Sequence, residues 1–419
     1  MIHKAFIVSL FILSFFQLIF NVSYSSADNA EVLPKGVSRV SLDARVYLPI
    51  DQRYDPDGKV EDVAVDYNTT LGSSVFPALG LVESAFGMPA GSASMGKSIV
   101  DFEYDISEYS LSYQYGVTDR WTLGINIPYW SIRNKIDARL DSSAGTGANI
   151  GKNSTINSFA PLIFPGTVPL TTEDVQDLLG GGLDINNDGT LDVPGYGYNR
   201  VETWSHEGLS DIVAGGRYQY LRTKDWRLAF TGALRFPTGR VDDPDNLADY
   251  AFGSGANALL FHLNNDFTGI KNFVFNGTFR YDLVLPDKET KRVPEDVNLP
   301  ITNNKEEVKR DIGDGFELEA SGKYDFLEGA NVSLLYNYRY KLKDQISGSQ
   351  GFAYQALEDE TDVMSHIYII GLSYSTVSMY MNKKFPIPLI ASISYRDRFA
   401  GSNNVNKSQY LAGGIQVFF

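Results

Sequence analysis

The densest set of oxygen ligands in the chain lies in one short run, Asp184-Ile-Asn186-Asn-Asp188-Gly189-Thr190-Leu-Asp192. Side-chain oxygens at the first, third, fifth and ninth positions and a backbone carbonyl at the seventh suit a hard cation such as Ca²⁺, and glycine at the sixth allows the sharp turn. The twelfth position, glutamate in an EF-hand, is Gly195. The pattern is therefore nearer the nine-residue DxDxDGxxD loops of extracellular proteins, with an expected affinity on the order of 10⁻⁴–10⁻³ M. The competing reading is a metal-free Asn-Asp-Gly turn. Ca²⁺ held by Asp184, Asn186, Asp188, Thr190 and Asp192 is the one cofactor the sequence suggests.

A second set of charges is spread along the chain at alternating positions: Arg39, Asp43, Arg45, Arg217, Arg227, Arg235, Arg280, Asp282, Glu317, Glu319, Lys323, Arg339 and Lys341. Facing rows of opposite sign either contact a polar solute or neutralise one another as a structural network. Mixed signs argue against a path dedicated to acidic oligosaccharides. Acyl-transfer chemistry would need a serine–histidine pair with an orienting acid or amide. Beyond the first residues only His206, His262 and His366 are present, and no Gly-x-Ser-x-Gly occurs. No catalytic residue is assigned, and the chain is expected not to be an enzyme.

The elements that must position these groups are strands. Leu111, Tyr113 and Tyr115 alternate with Ser112 and Gln114. After Gly116-Val117-Thr118-Asp119, Trp121, Leu123, Ile125, Ile127 and Tyr129 alternate with Thr122, Gly124 and Asn126. Period two on both arms of a tight turn is a β-hairpin. The pattern recurs along the chain and yields twelve strands whose connections alternate long and short up to residue 361, after which 377–385 is intermediate and 400–405 is short for its side. The long ones are about 50–97, 133–207, 240–253, 286–313 and 347–361. An apolar face outward, a charged face inward and an even strand count describe an all-β, twelve-stranded antiparallel transmembrane β-barrel with long extracellular loops. A chain ending on Phe419, in phase with Leu411, Ile415 and Val417, resembles the assembly signal of such barrels.

Several local features follow. The parity of apolar residues slips at Ser107-Glu108, which predicts a β-bulge. Strand three is expected to stop near Pro128, which has no N–H for the ladder. Pro128 and Pro237 share the inward parity and mark a candidate lateral gap through which an apolar solute would slip into the outer leaflet; the alternative is that the strands have simply left the hydrocarbon there. An apolar island from Val75 to Met88 interrupts the first long loop, to fold into the barrel mouth or to pack on neighbouring loops. Thr171-Thr172-Glu173-Asp174 followed by Val175, Leu178 and Leu179 predicts a short capped helix.

His3 and Lys4, an apolar run from Ala5 to Phe20, and Ser25-Ser26-Ala27 form a signal peptide, residues 1–27, followed by the barrel at 28–419. The run is short for a spanning helix, which needs roughly 20 residues. Residues from the cleavage point to Lys35 are few, which leaves little material for an N-terminal plug. Without the leader, 35 basic residues face 51 acidic ones, which excludes nucleic acid as a partner. Cysteine is absent, so there is no disulfide framework and no thiolate site.

At YGVTDRWTLGINIPY (115–129), GLSDIVAGGRY (208–218) and GALRFPTG (232–239) the chain resembles an outer-membrane family labelled putative MetA-pathway of phenol degradation, often described as transporter-like. The resemblance runs from about Leu33 to the C-terminus. It implies passage of small organic, including aromatic, solutes. The combined expectation is a bacterial outer-membrane channel for passive passage of small organic solutes, aromatic or apolar ones included, with outer-membrane lipid and the solute as partners. A non-transporting structural or adhesion barrel and a barrel lipid hydrolase are the alternatives.

Overall fold

The computed structural model describes residues 28–143 and 148–419; the leader expected at 1–27 lies outside the described residues. Twelve antiparallel strands close on themselves. They are β1 (Ser38–Tyr47), β2 (Ala93–Thr118), β3 (Trp121–Asp141), β4 (Ile212–Arg222), β5 (Trp226–Phe236), β6 (Ala258–Phe267), β7 (Phe273–Val284), β8 (Gly315–Leu327), β9 (Ala330–Lys341), β10 (Val363–Ser375), β11 (Leu389–Ser402) and β12 (Gln409–Phe418). Leu42 of β1 faces Ile415 on one side and Leu111 on the other, which seals the sheet. Closure leaves no edge, the condition for strands in hydrocarbon, where each unpaired backbone group costs several kcal/mol. This is an outer-membrane β-barrel.

Leu42, Leu111, Leu123, Leu263, Leu318, Leu334, Ile393 and Ile415 all point outward and are exposed, forming the lipid belt. Aromatic pairs sit beside the short turns at one end: Trp121 on Tyr218, Trp226 on Phe267 and Phe273 on Tyr324. Tyr336, His366, Tyr368 and Phe399 form an outward-facing cluster nearer the long loops.

The expected bulge at Ser107-Glu108 is absent. Ser107, Glu108 and Tyr109 pair in unbroken register with Ser131, Trp130 and Tyr129. Even-numbered residues point inward along the whole run from Val100 to Ser110. Only the environment changes. A strand needs about 9–11 residues to cross the hydrocarbon, and β2 and β3 have 26 and 21. Below the membrane edge Tyr109, Leu111 and Tyr113 face lipid, while Glu108, Ser110 and Ser112 face the lumen. Above it Asp101, Glu103 and Asp105 face water, and Val100, Phe102, Tyr104 and Ile106 face an apolar core inside the barrel's outer mouth.

That core is built from the loops. The apolar island folds as α1 (Leu79–Ala85), and the predicted capped helix is α2 (Thr172–Leu179). In α2, Asp174 N donates to Thr171 Oγ1 (3.2 Å) and Thr171 N to Asp174 Oδ2 (2.8 Å). Phe76, Leu79 and Val82 pack in one cluster with Leu178, Leu179, Ile150 and Trp130. The island thus packs on neighbouring loops and on the tops of β2 and β3.

β3 does not stop at Pro128. That residue stays in the ladder opposite Ser110, because a proline at the partner's non-donating side leaves the other neighbour to absorb the missing N–H. The absorbing neighbour is strand four. A short strand, Trp204–Leu209, pairs with β3 above the proline and β4 below it, and Ser210 and Asp211 lie between them. The loop expected at 133–207 therefore begins only after Asp141. A last short helix, α3 (Val377–Met381), lies in the β10–β11 connection.

The inversion of facing predicts unequal effects of the same change on one face of β2. Leu111→Arg should destabilise the refolded barrel by up to about 2–4 kcal/mol, the cost of a cation near the bilayer midplane. Asp101→Arg, outward but above the membrane, should change it by no more than about 0.5 kcal/mol. Equilibrium unfolding in lipid vesicles reads both.

Candidate functional site: a charged lumen

Polar inward positions on β4 to β9 bring together most of the charged residues read from the sequence. Arg280 on β7 contacts Glu317 and, at 3.1 Å, Glu319, both on β8. Arg339 on β9 meets Glu317 at 2.8 Å, and Arg235 on β5 meets Asp282 on β7 at 3.7 Å. All but the part-buried Arg339 are buried. Breaking such a buried pair from one side costs about 3–5 kcal/mol.

The centre of this network is a residue the sequence reading left out. The tail Asp28–Lys35 runs inside the barrel, against the expectation of too little material for a plug. Asp28 pairs with Arg217, with His262 Nδ1 at 2.8 Å and with Arg280 Nε at 3.4 Å. Its carbonyl accepts from Asn264 (3.0 Å), Asn276 (3.0 Å) and Thr278 (2.7 Å). Ala30 N donates to Asp266, Gln219 to the Ala30 carbonyl, and Leu33 N to Thr122. Glu31 pairs with Arg227. A few residues suffice because the lumen wall supplies partners to Asp28, Asn29, Ala30, Glu31 and Leu33. Inward-facing Asn264, Asp266, Asn276 and Thr278, clustered on two neighbouring strands, were the signal that something polar is bound there.

On the turn side of the tail a cavity of about 1280 Å³ is lined by Arg39, Asp43, Arg217, Lys323, Asn331 and Gln416, among others. Arg39 bonds Gln114 and Gln416 at its wall, and Lys323 lies at the rim, 3.8 Å from Asp325. On the loop side a tight layer follows. Arg45 meets Glu108 at 2.7 Å, and the Arg45 and Arg396 guanidinium groups lie over the Tyr410 ring at 5.6 and 5.3 Å. Tyr47 packs on Tyr410 at 5.1 Å. Arg45 Nε and Nη2 and Arg398 Nε are buried there with no protein partner, and so, in the mouth core beside Tyr250, is the Tyr104 hydroxyl. Lys341 ends against the outer loops, on Asp344 and the Thr361 carbonyl (2.8 Å).

The outer loops are latched by Arg292, which is nearly fully buried. It donates to the carbonyls of Tyr196, Gly197 and Thr302, meets Asp245 at 2.7 Å, and lies 3.9 Å from the Tyr198 ring centre. One guanidinium thus ties three long loops together. Burial alone would raise the Asp245 carboxyl, but hydrogen bonds from Lys305 and Arg292 hold it below the usual carboxylate range. Burial pushes the Tyr198 hydroxyl up to about 12, so it stays neutral at physiological pH. A small apolar pocket of about 70 Å³ lies beside the latch, lined by Tyr67, Leu71, Phe76, Val100, Leu179 and Ile301 among others.

The remaining candidates stand as follows. Pro128 and Pro237 flank the bulge at Ser210-Asp211, and its polar groups are taken up locally. Ser210 N donates to the Pro128 carbonyl, and Thr238 Oγ1 to the Ser210 carbonyl (2.8 Å). Ile212 N donates to Thr238 Oγ1 (3.0 Å), and Gly239 N to Asp211 Oδ1 (3.0 Å). The Asp184–Asp192 loop is a compact turn in which Asp184 accepts from Asp188 N and Gly189 N, and Asp192 from Ile185 N. Its side-chain oxygens edge one turn, yet among the described residues no three carboxylate or histidine groups converge on a metal position. His366 faces outward onto the Tyr336 hydroxyl (2.6 Å), and His206 packs on Trp204.

No family model matches the chain, and no curated protein matches it. Among solved structures it is similar to the COG4313 outer membrane channel from Pseudomonas putida F1. The match covers 94% of this chain and 100% of that one, with 11% identity and a TM-score of 0.52. The likeness is one of fold. More distant are a Pseudomonas aeruginosa FadL homologue (10% identity, 92% and 90% covered, TM-score 0.34) and the KdgM porin (10% identity, 90% and 98% covered, TM-score 0.30).

The latch has a pH sign. A carboxyl held below its unfolded value, about 3.9, stabilises the loops above that pH and stops doing so as pH falls through the folded value. Protease cleavage in the outer loops should therefore be slow at pH 5 to 8 and rise at more acidic pH. Arg292→Ala should raise it at least about tenfold at neutral pH.

Proposed function

We propose that this barrel is a channel for passive passage of small organic solutes, aromatic ones with an oxygen acceptor included. The observation that carries the reading is the set of buried, unpartnered donors on the loop side of the tail, on Arg45, Arg398 and Tyr104. Leaving such groups without a partner costs about 1–3 kcal/mol each, more when charged, so a wall that keeps them is suited to a passing guest. Aromatic faces at Tyr47 and Tyr410 flank the same layer, and the apolar pocket among the outer loops suits a ring on its way in. The solved COG4313 structure is called an outer membrane channel, and the phenol-pathway resemblance read from the hairpin motifs points to the same solute class. Opening requires the loops and the tail to move.

Purified protein in liposomes should take up phenol- or benzoate-type solutes faster than a sugar of similar size, and Arg45→Gln should reduce the preference. Uptake no faster than through empty liposomes would leave a structural barrel, and release of fatty acid from the lipid would indicate a hydrolase.

The Asp184–Asp192 loop enters the proposal as a stabiliser of the outer loops. Asp184, Asn186, Asp188, the Thr190 carbonyl and Asp192 supply the oxygens a calcium ion prefers. Chelation and Asp188→Ala should each make loop 142–203 more protease-sensitive with little change in barrel stability. Identical cleavage with and without chelator would leave a metal-free turn.

A further inference from the structure

Asp28 is held more completely than a residue in mid-chain requires. Seven side chains from four strands converge on it: Arg217 (β4), His262 and Asn264 (β6), Asn276, Thr278 and Arg280 (β7), and Glu319 (β8). Six of them hold its carboxylate and carbonyl. The seventh, Glu319, accepts from the Asp28 backbone nitrogen at 2.9 Å. In sequence, Asp28 directly follows Ser25-Ser26-Ala27, the small-residue end of the leader pattern.

We infer that Asp28 is the amino-terminal residue of the mature protein, and that its free ammonium, seated on Glu319, makes it a tethered ligand that holds the lumen shut. The second half rests on the channel reading above. Chemistry favours an end over a passing chain. An amide offers Glu319 one N–H; an ammonium offers three and a full charge, and charge-assisted bonds are roughly twice as strong. Asp28, Asp266, Asp282, Glu317 and Glu319 are buried around the tail beside the guanidiniums of Arg217, Arg235, Arg280 and Arg339, and a cation at the end of the chain is stabilised among those carboxyls. The tail then reaches across the lumen, from Lys35 N on Asp119 at the β2–β3 turn to Glu319 on β8. Its length is set so that the terminal charge arrives at the network.

The intact mass of protein purified from outer membranes should correspond to a chain starting at Asp28. Its α-amine, labelled at neutral pH and read by mass spectrometry of the N-terminal peptide, should react at least about tenfold more slowly than in the unfolded chain. Glu319→Gln should remove most of that protection. If that variant does not fold, as judged by heat-modifiable migration, a glycine inserted between Ala27 and Asp28 moves the ammonium by one residue without touching the barrel. The insertion should raise both the labelling rate and the ion conductance. A mature chain starting elsewhere, or a folded α-amine labelled at the unfolded rate, overturns the terminal assignment. Unchanged conductance in the insertion variant overturns the closing role. Neither mass nor labelling depends on solute uptake, so a failure of the channel reading is separately visible.

Discussion

Every backbone donor and acceptor in hydrocarbon must be paired within the protein, and the closure of β1 onto β12 meets that demand. The rest of the structure follows from it. A closed ladder with an apolar outside leaves alternate residues pointing into an enclosed space, where they cannot be apolar without collapsing the path or charged without partners. This lumen carries arginines, carboxylates, asparagines and threonines, and nearly all of them are matched across neighbouring strands or against the tail. Matching makes the interior rigid.

Facing was legible from sequence because period two is local. Alternation alone places Arg217, Arg280, Glu317, Glu319 and Arg339 inward; the last four meet one another, and Arg217 joins them through Asp28. The same rule misled at Ser107-Glu108. There the apolar residues change parity because the strand leaves the membrane, and a core of loops fills the barrel mouth. Hydrophobicity reports the solvent of each face, and the solvent of both faces switches at the bilayer edge. The tail was not legible. Asp28–Lys35 has no periodicity, and its partners lie up to 291 residues away. The hint was indirect, in polar residues on β6 and β7 with no obvious partner in their own strands.

Two tied layers lie one above the other in the barrel. The outer loops are held by Arg292 on Tyr198 and Asp245, and the mid-lumen by arginine and tyrosine layered over the charged tail. Between the lumen tail and the turn side lies a wide vestibule.

The most direct measurement is the single-channel conductance of the mature protein in planar bilayers. A lumen closed by its own paired charges predicts a mostly silent channel with brief, small openings that grow more frequent when the tail is loosened. A steady, ohmic current of the size expected for an open twelve-stranded pore, present from the moment of insertion, would contradict it.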